Sequence, residues 1–399
     1  MESSLVAAAP EDVVDCGKFG KIPERSLWLL YLYASKLYRH MRQQDRDKAE
    51  ENPDKLPELV AEILSRIAER RMRRSLNLGY RQRSAHLDRV RGRIKFLETE
   101  RRQLLARGKI ACEFEELTAD TPRNRYVRAA LLVIARKVES RRVKVGATMQ
   151  DRFHHDDTAS RCRKVATMMG QLGVKHHRPR DDEVFSVRSS HRDAEDDCML
   201  AAARFAFELA LPTRERSGRR LIAPPVPKDI RDLFEAAVTG FYRVVLSGTQ
   251  WTVRSQPHFG WHPIGSEKSE YLPVMRPDLV LTRAGHCVVI DTKYQRALTS
   301  PSKTSRHKPR FHSKHLYQVY AYLRSQEDTS DDNRHATGIL LYRQLDGEQS
   351  LSETSDIQGH KMRVYTLDMR ASPGEIRARL IDIVKRESSP AYSSPPGST

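Results

Sequence analysis

Apolar positions recur along this chain at two different periods, and the change from one to the other falls near residue 230. Upstream the spacing is helical. "SLWLLYLYASKLYRHM" (26–41) carries so wide an apolar face that a largely buried helix is expected. "LPELVAEILSRIAERRMRRSL" (56–76) repeats Leu59, Ile63 and Ile67 at four-residue spacing. It ends in Arg70, Arg71, Arg73 and Arg74, cations that suit a helix C-terminus. In "VRGRIKF" (90–96) and "IACEFEELT" (110–118) apolar and polar residues roughly alternate, so a small β-insertion is expected. "RNRYVRAALLVIARKVES" (123–140) and "CMLAAARFAFELAL" (198–211) return to helix. The charged stretch 175–197 reads as a surface loop or linker.

Downstream, helices and strands alternate. "IRDLFEAAVTGFYRVVL" (230–246) places Leu233, Phe234, Ala237, Val238 and Phe241 on one helical face. "YLPVMRPDLVLTRAGHCVVIDTKYQ" (271–295) predicts two strands joined by a turn at Ala284-Gly285. "SKHLYQVYAYLRSQ" (313–326) predicts a helix, and "GILLYRQ" (338–344) and "MRVYTLDM" (362–369) predict strands. "SPGEIRARLIDIVKRE" (372–387) opens with a helix-start signal, Ser372 at the N-cap, Pro373 in the first turn and Glu375 three on.

The expected organisation follows. Residues 1–20 are an extension, 21–215 a mostly helical domain with a β-insertion, and 216–229, with three prolines, a linker. Residues 230–387 form a mixed α/β domain, and the Ser/Pro-rich 388–399 a disordered tail. The Ser/Pro/Lys-rich loop 297–310 is expected to be mobile. The fold class is α+β, with a mixed central sheet in the second domain. A chain of 399 residues exceeds what one core supports, which agrees with more than one domain.

Charge narrows the function. There are 70 Lys+Arg against 52 Asp+Glu, a formal net charge of +18, and such an excess favours a polyanionic partner such as DNA. The five scattered cysteines form no C-x-x-C pair, which fits a reducing compartment and excludes a Cys-rich zinc site. The opening residues lack the basic region of a signal peptide, and no apolar run reaches the length of a membrane span. A soluble cytoplasmic protein with no membrane partner is therefore expected. The clusters "FHHDD" (153–157) and "KHH" (175–177) match no defined zinc spacing.

The chemistry is concentrated at the hairpin. Asp291 and Lys293 alternate with Thr292 on a strand and so share a face. An Asp–Lys pair at a strand end is common as a purely structural feature. Asp278 changes the reading, because it opens the preceding strand and a hairpin brings its outer ends together. Two converging carboxylates repel unless a cation holds them, and Mg²⁺ prefers such oxygen ligands. One such ion polarises a phosphate oxygen and activates water, with Lys293 able to orient that water or offset developing charge.

"PD" (277–278) and "DTK" (291–293), with twelve residues between them, resemble the PD-(D/E)xK nuclease superfamily. That resemblance implies a restriction-endonuclease-like domain, with metal held by Asp278 and Asp291 and with Lys293 assisting the nucleophile. "LFEAAV" (233–238) is similar to the leading helix of such nucleases, which implies Glu235 as the residue completing the metal site. Periodicity alone sets Glu235 away from the apolar face, as a solvated side chain. Gln318 and Tyr322 of "QVYAY" are similar to the Q-x-x-x-Y element of RecB-like nucleases. They are implied to position the active site and DNA, and lie opposite the stripe Leu316, Val319, Tyr320 and Leu323.

More widely, the chain is similar to the McrC family, nuclease subunits of modification-dependent McrBC restriction systems. "IPERSLWLLYLYAS" (22–35), "VRGRIKF" and "CEFEELTADTPRNRYVRAAL" (112–131) match its order as well. The 141–200 region and the 297–310 loop look idiosyncratic. The resemblance implies an endonuclease cleaving methylcytosine-containing DNA with an McrB-like AAA+ GTPase hexamer whose hydrolysis it stimulates. It also implies that the N-terminal half docks on that ring, with 70–109 a candidate for ring contact or DNA tracking. No G-x-x-x-x-G-K-[ST] motif occurs, so no nucleotide site of its own is expected. The alternatives are a catalytically silent DNA-binding adaptor that activates the NTPase, and a standalone nuclease.

Overall fold

A computed structural model of the chain describes residues 13–16, 21–74, 76, 78–140, 149–185, 194–210, 229–262, 270–299, 308–344 and 347–388, with backbone alone for 149–156. The described residues divide into two compact units. One falls within Met1–Leu56 and Thr213–Thr399, the other within Pro57–Pro212.

The chain opens with an antiparallel ribbon, β1 (Val13–Asp15) and β2 (Lys21–Pro23), followed by α1 (Glu24–Ala34), α2 (Lys36–His40) and α3 (Gln43–Glu51). The second unit then supplies α4 (Leu56–Arg74), β3 (Gly79–Leu87), β4 (Arg93–Ile94), α5 (Phe96–Arg101) and β5 (Ile110–Thr118). It continues through α6 (Pro122–Ser140), α7 (Met149–Gln171), α8 (Asp181–Phe185) and α9 (Ala194–Leu209). The chain returns to the first unit with α10 (Ile230–Val245), β6 (Thr252–Ser255), β7 (Leu279–Arg283), β8 (His286–Lys293) and α11 (Ser313–Gln326). It finishes with α12 (Asp331–Arg334), β9 (Thr337–Gln344), β10 (Ser352–Ile357), β11 (His360–Asp368) and α13 (Pro373–Ser388). No helix among the described residues is long and apolar enough to cross a membrane.

The first unit is built on a mixed six-stranded sheet in the order β10-β11-β9-β8-β7-β6. The β8–β9 and β9–β11 pairs are parallel and the others antiparallel. Val288 to Ile290 and Ile339 to Leu341 are buried, which explains continuous apolar runs where a half-exposed strand would alternate. On α10 the face expected from the sequence, Leu233 through Phe241, is buried as a whole. Each large side chain there contributes about 1.5–3 kcal/mol. α13 starts as its capping signal specifies: Ser372 N–H donates to Glu375 Oε2 at 2.7 Å and Glu375 N–H donates back to Ser372 Oγ at 3.3 Å.

Residues 21–56 belong with this sheet, whereas the sequence pattern groups them with the helices that follow. α1 packs on α10, with Tyr33 and Phe241 rings 5.0 Å apart. Gly240 permits the crossing, since a Cβ there would lie 1.9 Å from the Tyr33 carbonyl oxygen. Polar ties close the same join. Arg343 donates to the Lys21 carbonyl at 2.8 Å, Arg377 pairs with Glu50 at 3.0 Å, and Ser26 Oγ donates to the Met369 carbonyl. The helix expected over 26–41 is broken at Ser35, whose extended backbone ends α1 and whose Oγ caps α2 by accepting from Tyr38 N–H.

The second unit holds a three-stranded antiparallel sheet, order β3-β5-β4, and a group of helices in which α6 packs against α7 and α9. Strand β3 was not expected, because its residues are mostly exposed and polar and carry no apolar alternation. The loop expected over 175–197 contains α8, with Val184 buried, and the start of α9. Arg70 and Arg71 at the end of α4 pair with Glu195 and Asp196, so these two serve the unit's own packing. The expected linker 216–229 (apart from Asp229), the tail beyond 388 and most of the 297–310 loop lie outside the described residues.

Candidate active site

The β7–β8 turn uses Gly285 in the left-handed region, φ +74°. Its register pairs Leu279 with Ile290. Asp278 thereby comes beside the end of β8, where its Oδ2 accepts hydrogen bonds from Thr292 N–H and Thr292 Oγ1, both 2.7 Å. Asp291, on the opposite alternation, is 1% exposed. The Lys293 ammonium pairs with Asp291 Oδ2 and donates to Gln318 Oε1 at 3.1 Å. Gln318 Nε2 donates to Tyr322 OH at 2.7 Å, and Tyr322 OH donates to the Arg276 carbonyl at 3.3 Å. An ion pair followed by hydrogen bonds thus links the Asp291 carboxylate across α11 to the residues preceding Asp278.

Glu235 enters from α10. It is half-buried, and Gln256 Nε2 donates to its Oε1 at 2.7 Å. The Gln256 backbone N–H donates to the Asp278 carbonyl at 2.9 Å, so one residue joins two of the acids. Gln256 holds φ +45°, a left-handed conformation that is uncommon outside glycine and recurs at functional sites.

Electrostatics set this corner apart. Burial raises the Asp291 carboxyl above the ordinary carboxylate range, and the neighbouring Asp278 raises it further. Burial and then Asp278 raise Glu235 in the same way. Asp291 Oδ1 is buried with no hydrogen-bond partner. Such an atom costs free energy unless a cation or donor meets it. Among the described residues no group of three or more His, Cys, Asp or Glu side chains stands ready-made around a metal. The side chains that could converge on one here are Asp278, Asp291 and Glu235.

All six residues singled out from the sequence come to this corner. Two differ from their expected settings: Glu235 is half-buried instead of solvated, and Tyr322 is packed into the core, edge-on to Phe259 at 6.4 Å. Gln256, His315 and the hold of Thr292 on Asp278 were not read from the sequence. His315 is buried behind Lys293, with Tyr342 OH 2.8 Å from its Nδ1 and Gln295 Nε2 3.3 Å from its Nε2. Burial, then Lys293, pushes its pKa down to about 4, so it is a neutral support at physiological pH. His315 follows Lys293 by 22 residues and its contacts with Tyr342 and Gln295 are made only in the fold, so no local pattern marks it. His176 and His177 of the second unit are exposed.

Comparison with known proteins concerns the chain as a whole. The family model described as McrBC 5-methylcytosine restriction system component matches residues 16–342. The chain belongs to that family. It is 22% identical over 363 residues to the Type IV methyl-directed restriction enzyme EcoKMcrBC of Escherichia coli (strain K12), covering 91% of this chain and 97% of that relative. Among solved structures it is similar, at 16% identity and a TM-score of 0.46, to a chain of the refined half-complex from the tetradecameric assembly of Thermococcus gammatolerans McrB AAA+ hexamers with bound McrC. That match covers 90% of this chain and 76% of the other.

Proposed function

We propose that this chain is the DNA-cleaving subunit of a McrBC-type restriction system, a PD-(D/E)xK endonuclease that hydrolyses phosphodiester bonds in methylcytosine-containing DNA. The observation that carries the reading is the buried Asp291, with one bare carboxylate oxygen, held beside Asp278 and Glu235 and against Lys293. Mutually repelling carboxylates with an orphaned hard oxygen fit Mg²⁺, which when bound supplies Lewis acidity at a phosphate oxygen and a more acidic water. The chain's own residues do the rest. Asp278 is oriented by Thr292, Glu235 by Gln256, and Lys293 by Gln318. Lys293, placed beside Asp291 and held by Gln318, can hold the attacking water or face the charge that develops on phosphorus. Gln318 and Tyr322 fix the lysine and the backbone before Asp278, and so act as positioning residues.

An McrB-like AAA+ GTPase hexamer is the proposed partner, in keeping with the chain's membership of the McrBC family, with this chain stimulating its hydrolysis in the cytoplasm. The test is cleavage of a methylcytosine-containing plasmid with Mg²⁺, with and without the co-encoded AAA+ protein and GTP. Wild type should cut only with partner and nucleotide, and Asp291→Ala should lose about a hundred- to a thousandfold of that rate, the scale of removing one electrostatic stabiliser. If wild type and variant were equally inert while partner GTPase activity still rose, the chain would be a silent adaptor. Cutting without any partner would make it a standalone nuclease.

A further inference from the structure

Glu235 and Gln256 do not end the site; they line one end of a cleft. A cavity of about 520 Å³ runs from them between α2 and α10, past Lys36, Arg39 and Arg243. A second, of about 350 Å³, shares Arg39 and Arg243 with the first and continues to Arg46 and Arg377. The two therefore form one trough whose walls carry cations along its whole length. Lys36, Arg39, Arg46 and Arg243 have no carboxylate partner among the described residues. Among the described residues Arg243 is held by the neutral Ser255 hydroxyl, and Arg46 by the Gln43 amide and the face of the Tyr38 ring. The acid in the far half, Glu50, is already engaged by Arg377 and Tyr38 OH. Asp232 and Glu235 are the remaining acids, and both lie toward the carboxylate end.

Unpaired cations facing one another across a trough repel, an arrangement that gains free energy only when an anion lies between them. The trough is also deliberately built. Gly240 lets α1 approach α10 to backbone contact, which carries α2 and its Lys36 and Arg39 to the rim opposite Arg243. A linear polyanion that begins at the carboxylates is the ligand whose charge matches this layout. We propose that the trough is a track for the sugar–phosphate backbone of the DNA strand entering the carboxylate site, with Arg39 and Arg243 as its central phosphate contacts. The proposal rests on the nuclease reading for the direction of the strand. It explains why residues 21–56 are folded against the sheet unit.

The full chain would be titrated into a fluorescein-labelled DNA duplex of random sequence, without divalent ions, and anisotropy followed over a range of KCl concentrations. Arg39→Ala/Arg243→Ala should bind about tenfold more weakly, and its log affinity against log salt should be shallower by roughly two, one per lost phosphate contact. Arg39→Lys/Arg243→Lys should keep most of the slope. Arg324→Ala/Arg334→Ala, which removes the same charge elsewhere in the unit, should leave it unchanged. An unaltered slope in the first variant, with its melting temperature equal to wild type, overturns the track. So does an equal loss in the Arg324/Arg334 variant, which would reduce the effect to net charge. Asp291→Ala separates this from the nuclease reading. A shallower slope in the arginine variant with no Asp291-dependent cleavage keeps the track and removes the nuclease, and the converse removes the track alone.

Discussion

Asp291 in the first unit and Asp120 in the second are both buried, at 1% and 7% exposure, and their surroundings treat them in opposite ways. Asp120 receives a two-pronged hydrogen bond from Arg125, at 2.6 and 2.7 Å, and a third from the Lys175 backbone N–H at 2.9 Å. The Arg125 guanidinium, the largest influence, draws its pKa down to about 2. Asp291 faces another acid, keeps one oxygen bare, and is held above the ordinary range by burial. A buried carboxylate whose lone pairs are all met stabilises its fold. One left short of partners is a cost that the rest of the unit sustains, and such sites bind something.

The largest expected effect is at Asp120. Asp120→Ala should destabilise the second unit by about 2–3 kcal/mol, the scale of losing charge-assisted hydrogen bonds and leaving Arg125 unpaired, readable as a lower urea midpoint. Cleavage chemistry at Asp291 should survive wherever the chain stays folded.

Next comes its pH dependence. Because the folded pKa of Asp120 lies near 2, below the ordinary 3.8, its contribution is fully present above about pH 4 and is lost as pH falls toward 2. The stability gap between wild type and Asp120→Asn should thus be flat from neutral pH down to about 5 and narrow only below 4. A gap that closed near neutral pH would mean Asp120 is not the satisfied group described.

The smallest effect sharpens the other side. Mg²⁺ at roughly ten times its Kd should raise wild-type stability by about 1.4 kcal/mol, and should do nothing for Asp291→Asn. Equal shifts in both, measured by thermal melting, would place any bound ion elsewhere.

How much of this was legible in the sequence follows from the range of the interactions involved. Asp278, Asp291 and Lys293 could be read because strand alternation and a short hairpin are local rules. The capping of α13 at Ser372 and Glu375 is equally local. Strand β10 was missed because all six of its residues are exposed and show no apolar alternation. Gln256 was missed because its role depends on a left-handed backbone and on contacts with Glu235 and Asp278, 21 and 22 positions away in the chain. The attachment of 21–56 to the sheet was hidden for the same reason on a larger scale. An apolar helix face states that it will be covered, but not by what.

That attachment bears on how the chain is made. Ser26 meets Met369 and Arg25 meets Arg370, separations of 343 and 345 residues. At ordinary synthesis rates, α1 leaves the ribosome on the order of tens of seconds before the strand end it must join. The second unit is contiguous and can close while translation is still under way. The first unit cannot. Its first segment, with Leu27, Trp28 and Leu30 awaiting their cover, stays uncovered until then, so the unit and its carboxylate corner are complete only after the final strand has emerged.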